Sequence, residues 1–133
     1  MILTIEEVLK ATGGKLLQGK GNAFFQGVST DSRTITEGEL FIALKGPHFD
    51  GHHYALEALR KKAGGVLIGE DQVGDIRWNG YRSRAVIAVK DTLTALGDIA
   101  RDWRRKYGPP VVALTGSNGK TTTKEMIAAC LET

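Results

Sequence analysis

The stretch of sequence that decides the fold class is Val111-Val112-Ala113-Leu114-Thr115-Gly116-Ser117-Asn118-Gly119-Lys120-Thr121-Thr122. It begins with an apolar run, Val111 to Leu114, which is typical of a short central strand in a parallel sheet. A glycine-containing loop follows, and the segment from Lys120 onward is compatible with a helix. This order of strand, glycine loop and helix predicts the first unit of an α/β domain.

The glycine loop has the chemistry of a phosphate-binding loop. Gly116 and Gly119 permit backbone angles closed to other residues, so successive amides can turn inward around an anion, and a helix N-terminus adds partial positive charge. Lys120 can reach the β- and γ-phosphates of a nucleotide, and the Thr121 hydroxyl can ligate Mg²⁺. The usual spacing of such loops would place a glycine at position 114, where this chain has Leu114. An ordinary glycine-rich turn is therefore the alternative.

Composition and charge exclude several classes of protein. The 133 residues are 41% hydrophobic and 25% charged, which indicates a folded domain and not a disordered chain. The single cysteine, Cys130, excludes an internal disulfide and fits a reducing compartment. The sequence has no apolar run long enough to span a membrane and no signal-peptide pattern at its start, so we expect a cytoplasmic protein without a membrane span.

A basic cluster and three histidines could suggest nucleic-acid or metal binding, but the sequence favours neither role. The net charge of +3 is modest, and the basic cluster Arg101, Arg104, Arg105 and Lys106 predicts a solvated helix face more readily than a nucleic-acid site. We therefore expect no nucleic-acid partner. The three histidines, His48, His52 and His53, lack the nearby cysteines or acid-rich spacing of a metal site, and we expect structural or solvent-facing roles for them.

The residues ahead of the loop predict alternating strands and helices. Thr4 to Glu7 have capping-box spacing, which predicts a first helix. Residues 15–28 indicate two short strands joined as a hairpin by Gly19-Lys20-Gly21-Asn22, which is no dinucleotide fingerprint because Phe24 stands where that motif needs a small residue. Further strands are predicted at residues 38–44, 66–68 and 85–89, with helices at residues 54–62, closed by Gly64-Gly65, and from Asp91 to Tyr107. We place a domain boundary near residues 88 to 91, giving domains 1–88 and 89–133.

With these motifs in place, the chain resembles the Mur ligases, the cytoplasmic ATP-dependent amide-forming enzymes of peptidoglycan assembly. The loop Leu114 to Thr122 is similar to their ATP loop, which also has a non-glycine first position. The segments Ser29 to Arg33, Gly38 to Gly46 and Phe49 to His52 resemble the uridine-nucleotide-binding domain that two members share. The resemblance implies an α/β fold with a small mixed-sheet N-terminal domain for the uridine nucleotide, followed by the first strand, loop and helix of a P-loop ATPase domain.

The two members differ in what they add to the UDP-muramoyl peptide. One adds the third amino acid, and the other adds the terminal D-alanyl-D-alanine to the tripeptide. The segments Ala43 to Gly46, Phe49 to His52, Val89 to Thr92 and Lys124 to Met126 look more like the second member. That resemblance implies a monomeric enzyme whose small-molecule substrates are ATP, D-alanyl-D-alanine and the UDP-muramoyl tripeptide.

The family's functional residues can be carried over to matching positions. ATP binding is implied for Gly116, Ser117, Asn118, Gly119, Lys120, Thr121 and Thr122, with Lys120 catalytic and Thr121 a ligand of Mg²⁺. The uridine diphosphate pocket is implied for Thr30, Asp31, Ser32, Arg33, Pro47, His48 and Phe49. The residues themselves leave a second interpretation open, in which Asp31 to Arg33 form a turn with a surface ion pair and Phe49 is a core aromatic.

The resemblance also implies that this chain is the N-terminal part of a longer enzyme. An ATPase domain of this type needs further parallel strands beyond Thr133, so we expect the 133 residues alone to be inactive. The alternatives are the related ligase that adds the third residue, a non-catalytic uridine-nucleotide-binding module, and a folylpolyglutamate-type ligase that shares only the loop. Residues 29–52 argue against the last of these.

Overall fold

The computed structural model describes residues 2–75 and 80–107. The predicted phosphate loop at residues 116–122, the strand before it, the helix after it and Cys130 all lie outside the described residues. In chain order, the described strands are β1 (Leu3–Thr4), β2 (Lys15–Gln18), β3 (Phe24–Phe25), β4 (Val28–Ser29), β5 (Leu40–Ile42), β6 (Gly65–Gly69) and β7 (Ala85–Val89). The α-helices are α1 (Ile5–Thr12), α2 (Ala55–Arg60) and α3 (Thr92–Tyr107), with 3-10 helices at Gly51–Tyr54 and Glu70–Asp75.

The strands form two sheets, and the larger one is mixed. Its order is β2-β7-β6-β5-β4, in which β4 to β7 pair in parallel and β2 joins the β7 edge antiparallel. The smaller sheet is the antiparallel pair of β1 and β3. The parallel strands β5, β6 and β7 are buried along their whole length, as expected for strands covered on both faces. The predicted mixed-sheet α/β fold is confirmed for this part of the chain.

Successive residues of the parallel strands enter two separate cores because side chains alternate across a strand. In β5, Leu40 and Ile42 join the core beneath α1 and α3, whereas Phe41 joins the core beneath α2. Large side chains fill the first core, including Phe25, Ile99 and Trp103. The second contains the alanines of α2 and its C-terminal turn, Ala55, Ala58 and Ala63.

The first and third helices begin where the sequence predicts. The Thr4 hydroxyl accepts the Glu7 N–H at 3.1 Å and the Glu7 carboxylate accepts the Thr4 N–H at 2.8 Å, which completes the capping box. The Asp91 carboxylate accepts the N–H groups of Leu93 and Thr94 at the start of α3. None of the helices described for residues 2–75 and 80–107 is long and apolar enough to cross a membrane.

The end of α2 differs from the prediction that Gly64-Gly65 closes it. The residue in the left-handed region is Lys62, with φ of 70°, and the N–H groups of Lys62 and Ala63 donate to the carbonyls of Leu59 and Ala58. These two bonds form a Schellman motif without glycine. The glycines serve packing instead, since a Cβ on Gly64 would lie 2.8 Å from the Gly38 carbonyl oxygen.

The predicted hairpin at residues 15–28 is wrong. Strand β2 pairs with β7 in the larger sheet, while β3 pairs with β1 in the smaller one. At the end of β2, a Cβ on Gly19 would lie only 2.8 Å from the Ala85 Cα. Glycine at position 19 therefore allows a close approach to the start of β7, and the turn at residues 19–22 passes the chain between two sheets.

The predicted domain boundary at residues 88 to 91 stays a prediction, because most of the second predicted domain lies outside the described residues. The helix that follows this boundary packs on the first domain. Leu96, Ile99 and Trp103 of α3 belong to the same core as β5, β6 and β7. Lys106 near the end of α3 also forms an ion pair with Glu7 of α1 at 2.7 Å.

Candidate functional site

A cleft of about 390 Å³ opens beside the segments that follow β4 and β5. Ligands of α/β proteins characteristically bind beyond the carboxyl ends of parallel strands, where the connecting loops diverge. The residues that line this cleft are Thr30, Asp31, Ser32, Arg33, Phe41, Phe49 and Tyr54. Two segments supply most of them, residues 29–33 after β4 and residues 45–54 after β5.

The 29–33 segment is shaped by hydrogen bonds between near neighbours. The Asp31 N–H donates to the Ser29 hydroxyl at 3.1 Å, and the Arg33 N–H donates to the Asp31 carboxylate at 2.8 Å. The Arg33 guanidinium adds two bonds to the same carboxylate, from Nε at 3.1 Å and Nη2 at 3.0 Å. These contacts raise the pKa of Arg33, through the hydrogen bonds first and the charge of Asp31 second. The segment thus places a permanent cation at the cleft.

Arg33 and Ser32 occupy opposite environments within this segment. The Arg33 side chain is 84% exposed, and its guanidinium carries further N–H groups suited to an anion such as a phosphate. Ser32 is only 6% exposed, and its carbonyl accepts a 3.0 Å hydrogen bond from the Lys61 ammonium of the turn after α2. The Ser32 hydroxyl lies 3.5 Å from the Glu57 carboxylate. One residue therefore faces solvent while its neighbour anchors the segment to α2.

The 45–54 segment presents aromatic surface to the cleft. The rings of Phe49 and Tyr54 are nearly parallel, 15° apart, with centroids separated by 5.8 Å. Both side chains remain substantially exposed, at 45% and 42%. Exposed aromatic rings beside a cleft offer a stacking surface for a planar ligand such as a nucleobase. The interpretation of Phe49 as a core aromatic is wrong.

Backbone contacts close the base of the 45–54 segment. Lys45 and Asp50 form an isolated antiparallel bridge, and the Gly46 N–H donates to the Phe49 carbonyl at 2.6 Å. The Gly51 N–H donates to the Leu44 carbonyl at 2.7 Å. A side chain at position 51 has no room, since its Cβ would lie 2.8 Å from the Leu44 nitrogen. The loop that carries Phe49 therefore has a narrow, closed neck.

His52 lies behind this loop and is bonded through both ring nitrogens. Its Nδ1 lies 2.6 Å from the Asp50 carboxylate, and its Nε2 accepts the Gly69 N–H at 3.0 Å. Burial opposes ionisation of Asp50, but the His52 backbone N–H and imidazole outweigh it and lower the pKa of the carboxyl. These contacts agree with the structural role expected for His52, and His53 is exposed.

The structure brings together five of the seven residues predicted for the uridine pocket. Thr30, Asp31, Ser32, Arg33 and Phe49 line the cleft, whereas Pro47 and His48 are exposed on the same loop and do not line it. The roles predicted for all seven residues in uridine binding stay predictions. The predicted catalytic residue, Lys120, and the other residues of the phosphate loop lie outside the described residues.

Sequence reasoning missed Phe41 and Tyr54. Phe41 lines the cleft because the parallel register of β4 and β5 sets it opposite Ser29, directly before Thr30. Tyr54 follows Phe49 closely in the sequence, and this pairing of aromatics across a loop was the available signal. Neither apolar periodicity nor turn composition identifies such a contact.

The basic cluster forms part of the exposed surface of α3. Arg101 lies 3.7 Å from Asp98, and Lys106 contacts both Glu7 and Asp102. Arg104 and Arg105 are exposed. These ion pairs fit the predicted solvated helix face. Within residues 2–75 and 80–107, no group of three or more His, Cys, Asp or Glu side chains is arranged to hold a metal ion.

Comparison with known proteins places the chain in a family. The model of the Mur ligase family, catalytic domain, matches residues 25–104. UDP-N-acetylmuramoyl-tripeptide–D-alanyl-D-alanine ligase of Treponema pallidum is 41% identical over 134 residues, which cover 97% of this chain and 29% of that protein. UDP-N-acetylmuramoyl-L-alanyl-D-glutamate–2,6-diaminopimelate ligase of Bacteroides thetaiotaomicron is 35% identical over 133 residues, covering 94% of this chain and 25% of that protein.

Solved structures give the same assignment. The crystal structure of MurF from Acinetobacter baumannii superposes with a TM-score of 0.69 at 30% identity, covering 96% of this chain and 27% of that one. MurF ligase from Thermotoga maritima in complex with ADP gives 0.52 at 35% identity, covering 74% and 21%. The chain spans less than a third of the length of the relatives it matches. On the family match and these likenesses together, the chain belongs to the Mur ligase family.

Proposed function

We propose that this chain is the uridine-nucleotide-binding part of an ATP-dependent ligase that joins D-alanyl-D-alanine to UDP-N-acetylmuramoyl-tripeptide. The observation that carries the proposal is the 41% identity, over nearly the whole chain, to a ligase named for that reaction. The match to the ligase named for 2,6-diaminopimelate is weaker, at 35%. That second reaction, addition of the third stem-peptide residue, is the alternative function.

The cleft supports the proposal through its chemistry. A uridine diphosphate has a planar base and an anionic diphosphate, and the lining of the cleft includes two aromatic rings and a guanidinium group. The Phe49 and Tyr54 rings offer the stacking surface, and Arg33 offers the charge. Thr30 also lines the cleft, and a threonine hydroxyl can hydrogen-bond a ribose or a uracil carbonyl.

The proposed reaction has two steps. The free carboxylate of the UDP-muramoyl tripeptide takes the γ-phosphoryl group of ATP, which leaves ADP and an acyl phosphate. The amine of D-alanyl-D-alanine then attacks the acyl carbon, and the amide forms as inorganic phosphate leaves. In this scheme Lys120 and the amides of residues 116–122 hold the triphosphate, and Thr121 would hold Mg²⁺, whose charge offsets that of the phosphates.

Several further assignments belong to the same proposal. We infer that the enzyme acts in the cytoplasm, where nucleotide substrates are made, and works on small molecules. The complex of the Thermotoga maritima ligase with ADP supports the use of ATP. The rival of a different class is a non-catalytic uridine-nucleotide-binding module.

The experiment compares the substrates that the full-length enzyme accepts. The enzyme should form product from ATP, UDP-muramoyl tripeptide and D-alanyl-D-alanine, and Lys120→Ala should lower turnover by orders of magnitude. Arg33→Ala and Ser32→Ala should raise KM for the UDP substrate far more than KM for ATP. Turnover of the dipeptide substrate with a free diamino acid would favour the alternative ligase. Absence of any ATP-dependent product would favour the non-catalytic module.

A further inference from the structure

The imidazole of His52 is held in one tautomer and one orientation by its two partners. A backbone N–H can only donate, so the 3.0 Å contact from Gly69 requires a lone pair on Nε2. The ring proton therefore lies on Nδ1, where it is donated to the Asp50 carboxylate at 2.6 Å. The contacts thus define a neutral ring with a fixed tautomer and a fixed orientation.

This ring joins elements that are distant in the sequence. Gly69 is the last residue of β6, and Asp50 is the last residue of the loop that carries Phe49. His52 itself lies in the 3-10 helix that ends at Tyr54, the stacking partner of Phe49. One side chain therefore ties the aromatic loop and its supporting helix to the central sheet.

The contact between His52 and Gly69 is closely surrounded by other atoms. A Cβ on Gly69 would lie 2.7 Å from the Asp71 carboxylate and 3.6 Å from the His52 Nε2. The His52 side chain is 5% exposed, so it contributes no surface to the cleft. Any effect of His52 on a ligand must therefore act through the residues it holds.

We propose that His52 is a positioning residue, whose neutral imidazole holds the 45–50 loop against β6 and thereby sets the Phe49 ring in its place over the cleft. The tie from Nε2 to the Gly69 N–H is the decisive contact, because it is the one that reaches the sheet. The choice of UDP as the probe ligand rests on the function proposed above, whereas the tie itself can be measured without any ligand.

Two substitutions of His52 distinguish the hydrogen bond at Nε2 from the hydrogen bond at Nδ1. In His52→Gln the side-chain carbonyl can take the place of Nε2 and accept from Gly69. His52→Asn is too short to reach Gly69, yet its amide can still donate to Asp50 in place of Nδ1. His53→Asn is the matched control, since the neighbouring histidine is exposed on the same 3-10 helix.

The measurements on the 133-residue chain are amide hydrogen exchange of Gly46, Gly51 and Gly69, and calorimetric titration with UDP. In His52→Asn, exchange at all three amides should quicken and UDP affinity should fall roughly tenfold, the loss expected for one buried hydrogen bond. His52→Gln and His53→Asn should stay within about threefold of the wild-type affinity. A role limited to global stability would lower the unfolding temperature of His52→Asn without changing UDP affinity in the folded protein, and would overturn the proposal.

Other outcomes are equally decisive. Unchanged exchange in His52→Asn would overturn the proposal, as would nitrogen chemical shifts that place the wild-type ring proton on Nε2. If His52→Asn fails to fold, the proposal is tested by the ring tautomer of the wild-type protein and by the UDP affinity of His52→Gln. A tenfold loss of UDP affinity in His52→Gln would overturn the proposal. If the wild-type chain binds no UDP while exchange quickens in His52→Asn, the positioning role stands and the uridine assignment falls.

Discussion

The two segments that line the cleft are held in different ways. The 29–33 segment takes its shape from bonds between residues two positions apart, Ser29 with Asp31 and Asp31 with Arg33. The 45–54 segment is held by contacts over longer separations: the Gly69 N–H donates to His52, and Gly51 packs tightly against Leu44 at the base of the loop. Local bonds can form in any part of the chain that has the right neighbours, but distant ones exist only once the sheet has assembled. Substitutions in the two segments should therefore have different consequences.

The largest effect on stability is expected at the neck of the 45–54 segment. Gly51→Ala should lower the free energy of unfolding by about 2 kcal/mol or more, because its Cβ would lie 2.8 Å from the Leu44 nitrogen and backbone cannot move aside cheaply. Urea denaturation followed by circular dichroism measures this change.

Gly21→Ala is the control for that substitution. A Cβ there meets nothing within 4 Å, so the variant should match the wild-type protein. Equal stability of the two variants would show that the neck is not tightly packed, and the contrast between the two segments would lose its main support.

The second effect concerns the charge of the Asp50 carboxylate, which accepts the hydrogen bond from the His52 ring. Asp50→Asn should cost about 1 kcal/mol near pH 7, since it weakens the hydrogen bonds from the His52 backbone and ring. The pKa of Asp50 is lowered in the folded protein, so its ionised form is favoured by folding and its contribution is present above the ordinary value of 3.8. That contribution is lost as the pH falls through the lower, folded pKa.

Denaturation of the wild-type protein and Asp50→Asn over a range of acidic pH values checks this prediction. The difference in unfolding free energy should shrink as the pH falls below 3.8. A difference that stays constant down to pH 2 would mean that the carboxylate charge does not contribute.

A third, smaller effect tests whether the 29–33 segment also depends on a distant anchor. Lys61→Met keeps the aliphatic stem but removes the donor to the Ser32 carbonyl, and it should cost about 1 kcal/mol or less. Chemical denaturation of Lys61→Met beside Lys62→Met makes the comparison. Lys62 is exposed and shares the turn, so its variant should be neutral. A loss as large as that of Gly51→Ala would erase the distinction between the two segments.

The smallest effect on stability is expected at Arg33. Its side chain is largely exposed, and surface ion pairs with a neighbouring carboxylate contribute little. Arg33→Ala should leave the midpoint of urea denaturation unchanged while weakening the binding of UDP in calorimetry. A clear shift of the midpoint would show that the 29–33 segment needs this pair to keep its shape.

Much of the fold could be predicted from local patterns. The apolar run at residues 85–89 is strand β7 with the predicted bounds, and the capping box at Thr4 begins α1 as expected. The segment from Asp91 to Tyr107 likewise contains the predicted helix α3, although the residues that it buries, Leu96, Ile99 and Trp103, only partly coincide with the apolar period that predicted it. Each of these signals is carried by residues a few positions apart, so the sequence displays it directly.

The errors share a different cause. The turn at residues 19–22 does not show that β2 pairs with β7, because the pairing depends on which strand lies at the edge of the assembled sheet. The end of α2 shows the same limit: glycine is the usual left-handed residue, yet Lys62 takes that position and the glycines are used for close packing. In both places the glycines do mark a change of chain direction. Which strand β2 pairs with and which residue ends α2 depend on contacts with other parts of the fold.

The sequence by itself determined the alternation of strands and helices, the buried character of the parallel strands and the local turns of residues 29–33. Only the tertiary structure decided that Phe41 and Tyr54 join the cleft while Pro47 and His48 do not, and that His52 holds the loop to Gly69. The physical reason is the range of the interactions. Backbone preference, capping and apolar period act within a few residues, whereas a cleft is made by side chains that strand register and packing bring together.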